Sequence, residues 1–192
     1  MIPLSRKLFL TASLILVLTY FFPIWQITLD APQYPEGIGM EIWLNQITGK
    51  NPNDLANING LNHYIGMKAI VPDSIPELKV MPYIMAGLIL FGLLVFLVNK
   101  KWLGWLWVII FVALFTYGLY DYYQWGYEYG HNLDPKAAIK VPGMSYQPPL
   151  IGSKQILNFT STSLPALGGI IAGLSILTGF YALFINDRKQ VK

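Results

Sequence analysis

The chain has 192 residues, of which 54% are hydrophobic and only 12% charged, where an ordinary soluble domain carries roughly 25% charged residues. Mean hydropathy is +0.46, so the chain reads as an integral membrane protein. It contains no cysteine, which excludes disulfides, thiolate zinc sites, iron–sulfur clusters and cysteine nucleophiles, and a net charge of +3 gives no electrostatic support to a nucleic-acid role.

A bilayer core of about 30 Å needs about 20 apolar residues per helix. Four stretches meet that length: Leu8 to about Thr28, Met81 to Asn99, Trp102 to about Tyr120, and about Leu164 to Ile185. Only Lys100 and Lys101 separate the second and third, so these form a tight helical hairpin. The first stretch follows Arg6 and Lys7, as in a signal peptide. Its apolar run is too long for an ordinary h-region, and Phe22-Pro23-Ile24-Trp25 offers no small-x-small cleavage site, so a retained helix is expected.

Orientation follows from the basic residues. Arg6, Lys7, Lys100, Lys101, Arg188, Lys189 and Lys192 fall on one side, with Asp187 as the only acid. The other side holds six lysines against nine acids, so the balance is +6 against −3. The positive side is expected to be cytoplasmic. Both termini then lie inside, and two long segments, about 29–80 and 121–163, lie outside. The expected fold is one all-α membrane domain over residues 1–192: a four-transmembrane-helix bundle carrying an ordered extracytoplasmic cap. No GxxxxGK[ST] or GxGxxG pattern occurs, so no nucleotide site is expected.

The first outer segment contains Trp43, Leu44, Ile47, Leu55, Ile58, Leu61, Tyr64 and Ile65, too apolar for disorder. Glu41 to Ile47 fits a short helix or a strand. Asn53 or Asp54 fits the N-cap of a helix with Leu55 and Ile58 on one face, and Gly60 weakens or splits it. Tyr117, Tyr120, Tyr122, Tyr123, Trp125, Tyr127 and Tyr129 crowd the outer end of the third span. An interface belt explains most of them, and their excess points to packing against the cap or a partner. In the fourth span Gly169 and Gly173 form a small-xxx-small pair, read as internal packing or as a face for another subunit.

The two histidines, His63 and His131, lie outside the spans, which disfavours a haem held between helices. His63 and Met67 stand at i and i+4 and share a face if the helix runs through both. Imidazole with thioether suits copper, above all Cu(I). His131 and Met144 extend this candidate metal set to the second outer segment. The plainer readings are a loop histidine making one hydrogen bond and methionines filling gaps. There is no HExxH or GxSxG motif. Asp121 or Glu128 with the tyrosines would suit a quinol-linked electron-transfer subunit.

Two stretches carry a family resemblance. One is Tyr34-Pro35-Glu36-Gly37-Ile38-Gly39-Met40 followed by Ile58-Asn59-Gly60-Leu61-Asn62-His63-Tyr64-Ile65-Gly66-Met67. The other is His131-Asn132-Leu133-Asp134-Pro135 followed by Val141-Pro142-Gly143-Met144-Ser145-Tyr146-Gln147-Pro148-Pro149. With four spans, the chain resembles the polytopic membrane accessory protein of clade II nitrous oxide reductase gene clusters. The resemblance implies a bacterial inner membrane, loops facing the periplasm, and a copper-enzyme partner, nitrous oxide reductase. It transfers no ligand roles. The expectation is therefore a non-enzymatic accessory protein that anchors that enzyme or supports its maturation. Trp43, Tyr64 and Tyr146 are the candidate partner contacts, because aromatic anchors dominate many interfaces. The alternatives are a copper-handling protein using His63, Met67, His131 and Met144, and the quinol-linked subunit.

Overall fold

The computed structural model describes residues 1–190, with the backbone alone for 187–190. Asp187, Arg188 and Lys189 thus lie outside the described side chains, and Lys192 outside the described residues. In chain order the helices are α1 (Pro3–Ile15, prolonged by a 3-10 stretch Leu16–Tyr20), α2 (Asp54–Ile65), α3 (Glu77–Val98), α4 (Lys101–His131) and α5 (Leu167–Gln190). All but α2 belong to segments long and apolar enough to cross a membrane. The strands are β1 (Trp25–Ala31), β2 (Tyr34–Ile42), β3 (Ile47–Gly49), β4 (Gly152–Ile156) and β5 (Phe159–Pro165). They form one antiparallel sheet in the order β3-β2-β1-β5-β4.

The expectation of an all-α protein is therefore corrected: four helices stand, and a five-stranded sheet is added. The error is local at both junctions. The first span does not run to Thr28. Pro23 disfavours a helical Phe22, and the β-prone Trp25, Ile27 and Thr28 then enter β1. The fourth span does not begin at Leu164, because that residue pairs with Gln26 in the sheet. At the two crossings from sheet to helix, the Ala166 N–H donates to Ile24 O at 3.2 Å and the Gly168 N–H to Pro23 O at 2.9 Å. A Cβ on Gly169 would stand 2.3 Å from Ile24 O, so glycine is what lets the junctions abut. Gly173 faces open space, so Gly169 and Gly173 do not act as a pair inside the chain.

The bundle core is built from Phe9, Ala12 and Leu16 of the first span, Leu88 and Val95 of α3, Leu103, Trp107, Val108 and Phe111 of α4, and Ala172, Ile176, Ala182 and Leu183 of α5. Interhelical polar contacts supplement the packing, as is common between membrane helices. Ser175 Oγ donates to Ala12 O at 2.8 Å, and Trp107 Nε1 donates to Leu88 O at 2.9 Å. At the base, Arg6 Nε donates to Phe96 O at 2.7 Å while its guanidinium sits 4.4 Å from the Phe96 ring centroid. The turn between α3 and α4 is closed by Asn99 in the left-handed region, φ 57°.

At 31 residues, α4 is about 46 Å long at roughly 1.5 Å per residue, well beyond the ~30 Å hydrocarbon core. The excess, about Asp121 onward, projects into the cap. Its tyrosines divide by periodicity. Tyr122, Trp125 and Tyr129, at i, i+3 and i+7, pack on the cap core, whereas Tyr117, Tyr120, Tyr123 and Tyr127 are exposed. Trp25 and Tyr122 approach to 5.4 Å between ring centroids, and Trp125 and Tyr129 to 4.4 Å.

Ser163 of β5 fastens this projection to the sheet. It is fully buried. Its Oγ accepts from Trp25 Nε1 at 2.8 Å, pairs with the Tyr122 hydroxyl at 3.0 Å and donates to Leu150 O at 3.2 Å. Ser163→Ala strands all three partners in an apolar interior, and one unpaired buried polar group costs about 1–3 kcal/mol. The expected loss is about 2 kcal/mol of cap stability, read as a lower thermal midpoint of tryptophan fluorescence. An unchanged midpoint would show that water takes the place of the hydroxyl.

Candidate functional site

The cap has one folded body drawn from both long segments. The sheet supplies Trp25, Ile27, Ile38, Met40 and Ile47 to its core, α2 supplies Ile58, and the following loop supplies Ile70. Gly60 does not split α2; the helix runs unbroken to Ile65. Asn53 precedes it in the left-handed region without a side-chain cap. The buried Asp54 instead accepts from the Gly39 and Asn51 N–H groups, both at 3.0 Å, and from Asn51 Nδ2 at 3.2 Å. One carboxylate thus ties β2, the loop after β3 and the start of α2.

The second long segment docks on the end of α2. The Asp134 N–H donates to Gly66 O at 2.8 Å, and the Ile139 N–H donates to Tyr64 O at 2.9 Å. Asp134 also shapes its own turn, since its carboxylate accepts from the Lys136 N–H at 2.8 Å. Gly66 sits at φ +81°, and a Cβ there would lie 3.0 Å from the Asp134 backbone, so this seam requires glycine twice over. Further along, the Tyr146 N–H donates to Gly130 O at 3.0 Å. Ile65, Tyr146 and Ile156 form a small separate core, with Met67, Met144, Leu133 and Phe159 against it.

Lys68 and Glu128 bridge the first segment to α4 at the exposed surface. The carboxylate raises the Lys68 ammonium above its usual range, and the ammonium lowers the Glu128 carboxyl below its own. The lowered carboxyl contributes stability above its ordinary pKa and loses it as pH falls through the lowered value. The raised ammonium contributes below its ordinary pKa and loses it as pH rises through the raised value. The bridge is therefore intact across the neutral range. Both groups are solvent-exposed, so the contribution is small. Glu128→Gln should leave the neutral-pH thermal midpoint almost unchanged. It should also remove any bridge-dependent decline at the acid and alkaline ends of a midpoint-against-pH series. A clear drop at neutral pH would show a larger role for the pair.

The candidate metal residues fall in different environments. His63 is exposed, with Tyr64 edge-on at 6.1 Å. Met67 lies past the helix end: Gly66 adopts the left-handed C-terminal conformation, and the Met67 N–H returns to Asn62 O at 2.8 Å. The i, i+4 relation with His63 therefore does not place the two on one helical face. His131 is also exposed, its ring stacked on Tyr127 at 4.0 Å, with Nδ1 2.9 Å from Tyr127 O. Met67 and Met144 each pack against the same small core. Among the described residues no three His, Cys, Asp or Glu side chains are grouped as a metal site.

The candidate partner contacts also divide. Tyr64 is 57% exposed, and Ile139, hydrogen-bonded to it through the backbone, is 47% exposed. Trp43 is half-buried at the turn between β2 and β3, its Nε1 donating to Thr48 Oγ1 at 3.0 Å. Tyr146 is only 2% exposed, so its ring serves the cap interior and offers no surface to a partner. Ile139 was not anticipated; nothing in a proline-spaced segment distinguishes an exposed isoleucine from a buried one.

Between the sheet, α2 and the projecting end of α4 lies a cavity of about 50 Å³. Ile27, Met40, Ile58, Ile65, Trp125 and Phe159 supply most of its apolar wall, and Tyr146 and Ser161 also line it. The geometry defines a membrane protein with four candidate spans and a mixed sheet-and-helix cap fused to one end of the bundle. No protein-family model matches the chain, and no curated protein does either.

Proposed function

We propose that the chain is a non-enzymatic accessory protein of a bacterial inner membrane, with both termini cytoplasmic and the cap in the periplasm. The cap is its working part, a docking platform for a periplasmic copper enzyme, which the sequence resemblance identifies as nitrous oxide reductase. The observation that carries the reading is the pairing of exposed Tyr64 and Ile139 on a cap locked together from both long segments. Apolar and aromatic groups held on a fixed scaffold are what a protein partner buries, and a pre-formed surface avoids the ordering cost of a flexible loop. The lysine and arginine distribution supports the orientation.

The test is a mild-detergent pull-down from native membranes, with mass spectrometry and copper analysis of the eluate. Docking predicts a stoichiometric periplasmic copper enzyme that is lost with Tyr64→Ala plus Ile139→Asp and retained with His63→Ala plus Met67→Ala. Recovery of no copper enzyme overturns it. The second reading is copper handling, favoured by the placement of Met67 and Met144 against the same small core. It predicts copper on the isolated protein that disappears in the His63→Ala plus Met67→Ala double variant.

Orientation has its own check, because the chain contains no native cysteine. In intact spheroplasts, Ile139→Cys should react with a membrane-impermeant maleimide. Lys100→Cys should react only after permeabilisation. The reverse pattern would invert the proposed topology.

A further inference from the structure

The cap cavity carries an inference independent of the docking surface. Two of its lining residues bear hydroxyls that are buried and have no hydrogen-bond partner: Tyr146 OH, on a residue 2% exposed, and Ser161 Oγ, on a residue fully buried. Native interiors rarely leave such groups unpaired, so each one asks for an explanation. Ser161 is fixed in β5 by pairing with Leu29 on one side and Lys154 on the other. Tyr146 is fixed by the bond from its N–H to Gly130 O. The backbone of each residue is thus held in place at the cavity wall.

The space between the walls decides what supplies the missing bonds. A water needs roughly 10–15 Å³ of such volume and two to four polar partners. About 50 Å³ therefore holds about three or four waters by size. Besides the two hydroxyls, the lining among the described residues has polar side-chain atoms only on Asn62, Trp125 and Tyr129. The Asn62 amide and the Tyr129 hydroxyl already donate to Lys68 O and Ala69 O, so three or four waters would share few free partners in a largely apolar wall. An occupant with one hydrogen-bonding atom and an apolar remainder matches both facts. No charged side chain lines the cavity among the described residues, so a charged occupant would have no counter-ion. Met40 and Met67, both lining it, are flexible and polarizable enough to fit their methyls around a guest.

We propose that the cap contains a binding site for a small neutral amphiphile of about four non-hydrogen atoms, sized by the volume of a water. Tyr146 OH and Ser161 Oγ bind its single polar atom, and the isoleucine and aromatic wall binds its apolar part. The probe is n-propanol, titrated into the full chain in detergent micelles with its methionine methyls carbon-13 labelled. Met40 and Met67 report the cavity. Met85, packed on the bundle core, reports non-specific partition.

The expected result is a saturable shift at Met40 and Met67 with Met85 unmoved. Tyr146→Phe and Ser161→Ala should each weaken the fitted affinity about fivefold, the value of one neutral hydrogen bond. Both variants remove a single oxygen without adding bulk, so they keep the fold. A shift that never saturates, or that moves Met85 in parallel, overturns the proposal. So does persistent methyl-to-water magnetisation transfer at Met40 and Met67 in high propanol, which would identify the occupant as water.

Discussion

Gly130→Ala is expected to release the second long segment from the cap. A Cβ at position 130 would stand 2.3 Å from the Gln147 backbone nitrogen and 2.4 Å from its Cα. Neither atom can rotate away, so α4 or the segment must move. Overpacking usually costs 1–3 kcal/mol, and a backbone clash belongs at the upper end, about 3 kcal/mol. The movement also breaks the Tyr146 N–H bond to Gly130 O and opens the small core of Ile65, Tyr146 and Ile156. Hydrogen exchange read by mass spectrometry should show lost protection over residues 144–150, with the bundle helices unchanged. Gly60→Ala is the matched control. That glycine lies inside α2 with open space around it, so alanine there should stabilise by about 0.5–1 kcal/mol. Unaltered protection at 144–150 in Gly130→Ala would show that the two backbones are not in contact.

Trp107→Ala is expected to be the most damaging change in the bundle. The indole is fully buried, edge-on to Phe9 at 5.8 Å and to Phe111 at 5.2 Å. Two glycines make its slot: a Cβ on Gly179 would meet the indole at 2.6 Å, and one on Gly92 would lie 3.0 Å from Nε1. Removing the ring leaves a cavity whose walls are held by four helical segments, and large-to-small changes of this kind cost about 3–5 kcal/mol. Lipid is as apolar as the core, so the loss is one of packing rather than transfer from water. That places the expectation near the lower figure. Thermal unfolding in detergent measures it. Trp107→Phe keeps most of the packing and gives up only the bond to Leu88 O, so it should fall well short of the alanine loss. Equal losses would assign the stability to that hydrogen bond.

The spans were legible in the sequence because a membrane helix is a one-dimensional signal of length and hydropathy. The strands were not. Trp25 to Thr28 carries no charge, and a span search by length and charge does not separate a strand that continues an uncharged run; Pro23 was the mark to read. β5 carried a period-two pattern in Thr160-Ser161-Thr162-Ser163, with both serines inward and fully buried. Serine on a buried face does not register in a search for alternating hydrophobics. The partner of β1 had no local signal, because pairing across the chain is decided by three-dimensional closure. The helical relation assumed for His63 and Met67 failed on Gly66, and glycine just past an apolar periodic stretch is a helix stop visible in the sequence. Tyr146 stood out as an aromatic, but burial and an unpaired hydroxyl appear only once two distant segments meet.

The centre of the sheet has a consequence for how the protein is made. Asp30 pairs with Thr160, so β1 leaves the ribosome long before its second neighbour exists. At roughly 5–20 residues per second, the wait is on the order of ten seconds. During it β1 can pair with β2 as a hairpin, but its opposite edge stays open, the state in which strands join wrong neighbours. Closure comes only when β5 emerges immediately ahead of the last span. Sheet closure therefore falls together with a second event, α5 entering the bilayer as the sheet seals behind it, so a chain truncated before β5 should be an aggregation hazard rather than a smaller folded protein.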